Sequence, residues 1–148
     1  MKTLILVEST YHGNTRKLVD AIAAKYDVDL ADVTEKKSID FAGYDLIGFA
    51  SGIAFSKFYK DITSYAEKVP AGKKVFFLYT CGSNSRDYSK GIRQIAENQG
   101  AISLGTYGCI GYDTFGPFKL IGGIRRNHPN QEEIQGAVSF YEKILKQF

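Results

Sequence analysis

Ser9-Thr10-Tyr11-His12-Gly13-Asn14-Thr15 is the stretch whose reading decides the fold. It follows the apolar run Leu4, Ile5, Leu6, Val7 and precedes Leu18, Val19, Ile22 and Ala23 at helical spacing, so it reads as a tight turn from a buried strand into a helix. At such a junction the first helical N–H groups lack intrahelical partners and the aligned peptide dipoles leave a partial positive charge. An anion satisfies both. Ser9, Thr10 and Thr15 add hydroxyl donors, Asn14 adds an amide donor, and Gly13 permits a backbone path that a side chain would obstruct.

What the turn lacks is informative. A nucleoside-triphosphate loop requires a Lys beside its Ser or Thr, and a dinucleotide loop requires three glycines; here there is one Gly and no Lys before Thr15. A terminal phosphomonoester is the better match. At 148 residues, with 44% hydrophobic and 24% charged residues, the chain is expected to form one domain, residues 1–148. Its apolar runs are too short to span a bilayer, and Met1 leads almost at once into a strand without a signal pattern, so no membrane association and a cytoplasmic location are expected. Cys81 and Cys109 are too few and too far apart for a disulfide scaffold or a zinc site. The net charge of +3 is mild, and its basic residues are dispersed except for Lys36 with Lys37, Lys73 with Lys74, and Arg125 with Arg126, which favours a solvated surface over a nucleic-acid footprint.

Along the chain, strands and helices alternate. Residues 2–8 read as the first strand and 14–25 as the first helix; Val28 and Leu30 mark a short second strand. Residues 34–43 are a connection and 44–50 a third strand. Residues 51–57 read as a loop before a helix carrying Phe58, Ile62, Tyr65, Ala66 and Val69 on one face, which Pro70 stops. Residues 73–80 give the strongest strand signal, 81–87 a polar loop, 88–98 a helix closed by Gly100, 101–109 a fifth strand and 131–147 the last helix. Strands alternating with helices predict an α/β three-layer sandwich around a five-stranded parallel sheet of order 2-1-3-4-5. Its ligand crevice lies where that order reverses, which gathers the turn at 9–15, the loop at 51–57 and the loop at 81–87 into one site.

The turn resembles the phosphate loop of flavodoxins, in which a hydroxyl residue, two variable positions, Gly, Asn and Thr hold the phosphate of FMN; Thr10, Gly13, Asn14 and Thr15 match, and His12 stands where many members carry a second Thr. Ser51, Gly52, Ile53, Ala54 and Phe55 resemble the loop bordering the reactive edge of the flavin, where a peptide beside Gly turns its carbonyl toward the ring. Thr80, Cys81, Gly82, Ser83, Asn84 and Tyr88 resemble the loop whose N–H groups contact the pyrimidine end. The resemblance spans nearly the whole chain and implies a flavodoxin-like fold of the short-chain type with non-covalent FMN. It also implies electron exchange with redox partner proteins by a monomer or weak dimer.

Two positions depart from the family pattern. Arg86 stands where some flavodoxins stack a Tyr, and Ser83 where an acid is common, so the second electron is expected at a less negative potential. Stacking is then expected from Tyr88 with Phe55, the other candidates being Tyr11 and Phe115. Residues 111–130 form a long segment in which Asp113 and Thr114 close a turn or face the pocket, and His128, Pro129 and Asn130 lead into and cap the final helix. His12 is expected to position the loop rather than transfer protons. Three readings remain open at this point: an electron carrier, an FMN-dependent reductase of quinones or other small acceptors, and a non-redox module for another phosphate ligand.

Overall fold

The apolar runs become five parallel strands. The computed structural model describes residues 1–10, 12–35, 38–83, 85–112 and 127–148. Its elements are β1 (Thr3–Glu8), α1 (Asn14–Lys25), β2 (Val28–Asp32), β3 (Leu46–Ala54), β4 (Lys57–Phe58), α2 (Lys60–Ala66), β5 (Lys74–Cys81), α3 (Lys90–Asn98), β6 (Ile102–Ile110) and α4 (Gln131–Leu145). The parallel strands run in the order β2-β1-β3-β5-β6, the arrangement expected from the sequence; the two-residue β4 pairs antiparallel with β3 and shifts the numbering.

Every residue of β1 is buried, as a strand covered on both faces requires. Leu4 and Leu6 point into a core with Ile62, Tyr65 and Ala66 of α2 and Ile92 and Ala96 of α3. Ile5 and Val7 point into the opposite core, with Val19 and Ile22 of α1 and Val138, Tyr141 and Ile144 of α4. Two glycines set how closely this sheet packs. Gly48 leaves room for the ring of Phe76, and Gly108 for the ring of Tyr79; a Cβ at either position would overlap the ring. Among the described residues β6 pairs only with β5, and it carries an irregularity where Val75 opposes Ser103 but Phe77 opposes Thr106; Gly105, at φ 150°, takes up the extra residue.

The register brings the C-terminal ends of the central strands level. Glu8 pairs with Ser51, Ser51 with Tyr79, and Tyr79 with Gly108, so the loops that follow leave along one edge of the sheet. Most element ends shift by one or two residues from the sequence reading, and the region after the third strand differs more. Residues 51–54 continue β3 and then fold back through Phe55 and Ser56, at φ 52° and 65°, into β4. Such a two-residue hairpin with both central residues left-handed normally carries Asn-Gly, so Phe-Ser gives no turn signal. Phe58 consequently lies in β4, and α2 starts at Lys60. The final helix does begin at an Asn130 cap, whose side chain accepts from Glu133 N at 2.8 Å while Glu133 Oε1 accepts from Asn130 N at 2.9 Å. Among the described residues no helix is long and apolar enough to cross a membrane.

Candidate functional site

The strand ends enclose a cavity of about 390 Å³, within the range of small-molecule sites. Its walls are Ser9, Asn14 and Thr15 from the first turn, Gly52 to Phe55 and Tyr59 from the β3–β4 hairpin, Thr80 to Gly82 from the end of β5, and Gly111 and Tyr112 after β6.

The turn is built to present polar atoms to this space. Gly13 sits at φ 64° as the N-cap of α1 and makes no side-chain cap. That function falls to Ser9, whose Oγ accepts the Arg16 N–H at 3.0 Å and so keeps its own proton for another acceptor. The Thr15 and Thr80 hydroxyls are 2.8 Å apart and both side chains are buried. When Thr80 donates, the proton of Thr15 is released toward the cavity. The Asn14 Nδ2 donates to the Tyr112 carbonyl at 2.8 Å, while its Oδ1 is buried and has no partner among the described residues. Beneath the turn, the buried Glu8 accepts the Ile62 N–H at 3.1 Å and tethers β1 to the start of α2. Burial, with lesser repulsion from Asp61 and Asp32, raises its pKa, against the Ile62 hydrogen bond, which lowers it.

The hairpin wall is fixed from outside. Ser51 is buried under the cavity, accepting the Tyr59 N–H at 3.0 Å and donating to the Gly52 carbonyl at 2.6 Å. Gly52 lies within β3, paired with Thr80, and the Tyr59 hydroxyl occupies the space a Cβ would need. Its lack of a side chain thus serves close packing, and the left-handed residues of this region are Phe55 and Ser56. Phe55 stands at the cavity rim, 89% exposed. In the third loop the Tyr88 hydroxyl donates to the Ser83 carbonyl at 2.9 Å and the Tyr79 hydroxyl to the Arg86 carbonyl at 3.2 Å. Two tyrosines thereby buckle the loop from its two ends. Tyr88 packs edge-on against Tyr79, with ring centroids 5.7 Å apart, and is not among the residues that line the cavity.

Of the residues singled out in the sequence, Ser9, Asn14, Thr15, Gly52, Ile53, Ala54, Phe55, Thr80, Cys81 and Gly82 surround the one cavity. Thr10, His12, Gly13, Ser51, Ser83 and Tyr88 lie outside its walls. Tyr11 and Asn84, together with Asp113, Thr114 and Phe115, fall outside the described residues. Sequence reasoning missed Tyr59, Gly111, Tyr112 and Glu8. Only Glu8 carried a local signal, an acid closing an otherwise apolar strand immediately before the turn.

A parallel sheet of this order, with an anion-receptive turn after its first strand and the crevice at the point of reversal, defines the doubly wound mononucleotide-binding class. Residues 4–109 match the family model of the flavodoxin domain, and the chain belongs to the flavodoxin family. It is 38% identical to an uncharacterised protein of Methanocaldococcus jannaschii over 149 aligned positions, covering 99% of each chain. Among solved structures, a flavodoxin from the domain Archaea superposes with a TM-score of 0.65 at 16% identity, covering 98% of this chain and 99% of that one. A flavoprotein from Lactobacillus acidophilus, solved in complex with FMN, superposes with a TM-score of 0.56 at 21% identity, covering 73% of this chain and 92% of that one. At these identities the solved structures establish the shared fold.

Proposed function

We propose that the crevice holds FMN non-covalently and that the protein exchanges one or two electrons with redox partner proteins. One observation carries this reading: the cavity at the reversal point of the sheet is lined at one end by the hydroxyl side chains Ser9 and Thr15 around the start of α1, and along the rest by Gly52 to Phe55 and the end of β5. Hydroxyls and the first-turn N–H groups of a helix receive a phosphate, and a wall carrying Ile53, Ala54 and Phe55 receives a ring system. FMN joins those two parts, and its ring system supplies reversible electron transfer when bound. The protein's part is to bind the phosphate through the 9–15 turn, hold the ring between the hairpin and the 80–83 segment, and exclude water with Tyr59, Cys81 and Tyr112. The likeness to the Lactobacillus flavoprotein supports the same choice of ligand.

The charge around the third loop bears on potential. Asp87, a carboxylate of that loop, is engaged by Arg93 at 2.8 Å and by the Ser89 N–H and hydroxyl at 2.9 and 2.6 Å, while Arg86 is exposed. Little negative charge then opposes full reduction of a bound flavin, which supports a less negative second potential. The net charge of +3 favours an acidic or weakly charge-steered partner. The test is reconstitution: purified protein is titrated with FMN while flavin fluorescence and visible absorption are followed, then the loaded protein is titrated reductively and mixed with NADH or NADPH. Saturable binding with reversible reduction and no NAD(P)H turnover is expected. Failure to bind FMN overturns the reading, and rapid NAD(P)H oxidation replaces the carrier with a reductase.

A further inference from the structure

The wall formed by Gly111 and Tyr112 belongs to none of the three crevice loops, and the phosphate turn itself holds it in place. Three contacts make the connection. The His12 imidazole stacks on the Tyr112 ring, with centroids 4.1 Å apart and planes 25° apart. Asn14 Nδ2 donates to the Tyr112 carbonyl at 2.8 Å, and Gly111 lies so close to Asn14 that a Cβ would come within 2.6 Å of Nδ2. From the other side, Gly111 N donates to the Cys81 carbonyl at 2.9 Å and Tyr112 N to the His128 carbonyl at 2.8 Å. Tyr112 is thus clasped between the phosphate turn and the approach to α4.

His12 sits at φ 56°, a left-handed conformation that costs a non-glycine residue energy and that places its ring over Tyr112. The conformation of the turn therefore decides whether the stack forms. An anion bound to the turn favours the conformation that presents its N–H groups, and that same conformation carries the imidazole onto the tyrosine. By linkage, the stack must favour anion binding as much as the anion favours the stack.

We propose that His12 and Tyr112 act as one positioning unit, coupling phosphate occupancy of the turn to the placement of the crevice wall and so selecting the phosphorylated flavin over its unphosphorylated form. The inference rests on the FMN reading and deepens it by assigning specificity to a residue outside the three loops. Tyr112 is a ligand-positioning residue on the cavity wall, and His12 acts through it.

The experiment compares binding of FMN and of riboflavin to the full chain by fluorescence quenching, for the wild type, His12→Ala, Tyr112→Ala, the double variant and Tyr112→Phe. The wild type is expected to prefer FMN. Each alanine variant is expected to reduce that preference about tenfold, the scale of a lost aromatic pair. The double variant should lose no more than either single one, and Tyr112→Phe, which keeps a stacking ring, should retain the preference. A merely structural role would weaken both flavins equally and leave the ratio unchanged. An unchanged ratio in both alanine variants, or multiplicative losses in the double variant, overturns the inference while FMN binding by the wild type stands. Absence of wild-type FMN binding overturns the reading of the site itself. Should an alanine variant fail to fold or riboflavin bind too weakly to measure, thermal protection of the flavin-free protein by inorganic phosphate makes the same comparison between the wild type, Tyr112→Phe and Tyr112→Leu. Equal protection of all three overturns the inference; loss of protection only with leucine supports it.

Discussion

The paired hydroxyls of Thr15 and Thr80 offer a sharp test of how the 9–15 turn is anchored. Thr15 is fully buried, Thr80 is 4% exposed, and their oxygens lie 2.8 Å apart, so each is the other's partner in a site with little water. Replacing either by Val keeps the branched shape but leaves one buried hydroxyl unsatisfied, which costs about 1 to 3 kcal/mol. Replacing both removes donor and acceptor together, and a matched apolar pair can be nearly neutral. The double variant Thr15→Val/Thr80→Val should therefore be at least as stable as either single variant. Urea unfolding of the flavin-free protein followed by circular dichroism reads this directly, provided the slope with denaturant is unchanged. In thermal melts each kcal/mol corresponds to roughly 2 to 4 °C for a chain of this size. If Thr80 is the donor of the pair, ligand binding should separate the two singles: Thr15→Val then removes a hydroxyl whose proton is available to the cavity, so FMN affinity falls further in Thr15→Val than in Thr80→Val. Stability losses that add to within about 0.5 kcal/mol in the double variant would refute the pairing.

Glu8→Gln should be neutral or stabilising at pH 7, because Gln still accepts the Ile62 N–H without a buried charge, whereas Glu8→Ala should cost about 1 kcal/mol in chemical denaturation. The sign follows from its raised pKa: the ionised form is the disfavoured one in the folded state, so this residue's penalty grows as pH rises through the folded value and disappears in acid. Glu133 behaves oppositely. Although its burial alone would raise the pKa, the Asn130 N–H, His128 and the Ile110 N–H outweigh that effect and lower it. Its stabilisation is present above the ordinary carboxylate range and is lost as pH falls through the lowered value, so the protection of Ile110 and of the start of α4 against hydrogen exchange, relative to the intrinsic rate at each pH, should fall in acid and do so less in Glu133→Gln. Ser56→Gly, at φ 65°, should raise stability by about 0.5 to 1 kcal/mol in the same denaturation assay and leave FMN affinity unchanged.

The parts of this molecule visible in the sequence are those set by local pattern. The run Val75 to Tyr79 is continuous because β5 is covered on both faces, and the 9–15 turn is legible because strand, glycine and helix follow within a few residues. The capped start of α4 was equally readable from Asn130. What escaped depends on partners distant in sequence. Tyr59 makes sense only once β3 passes beneath it, and Tyr112 only once the chain leaving β6 meets the 9–15 turn. Gly52 illustrates the limit: a glycine before Phe55 looks like the end of a strand, yet its missing side chain is explained by the Tyr59 hydroxyl. The Phe55-Ser56 reversal is hidden because its residues are poor choices for the backbone they adopt.

The rings of Phe76 and Tyr79 occupy the volumes vacated at Gly48 and Gly108 on the flanking strands. Each ring and its glycine are therefore a single heritable trait spread over two codons. A lineage that enlarged position 108 while keeping Tyr79 would lose the tyrosine's seat, and with it the hydroxyl that steadies the Arg86 carbonyl beside the crevice. Descendants of this chain should trade such pairs together, aromatic for small and small for aromatic, so that drift deep in the sheet is held in check by the demands of the loop above it.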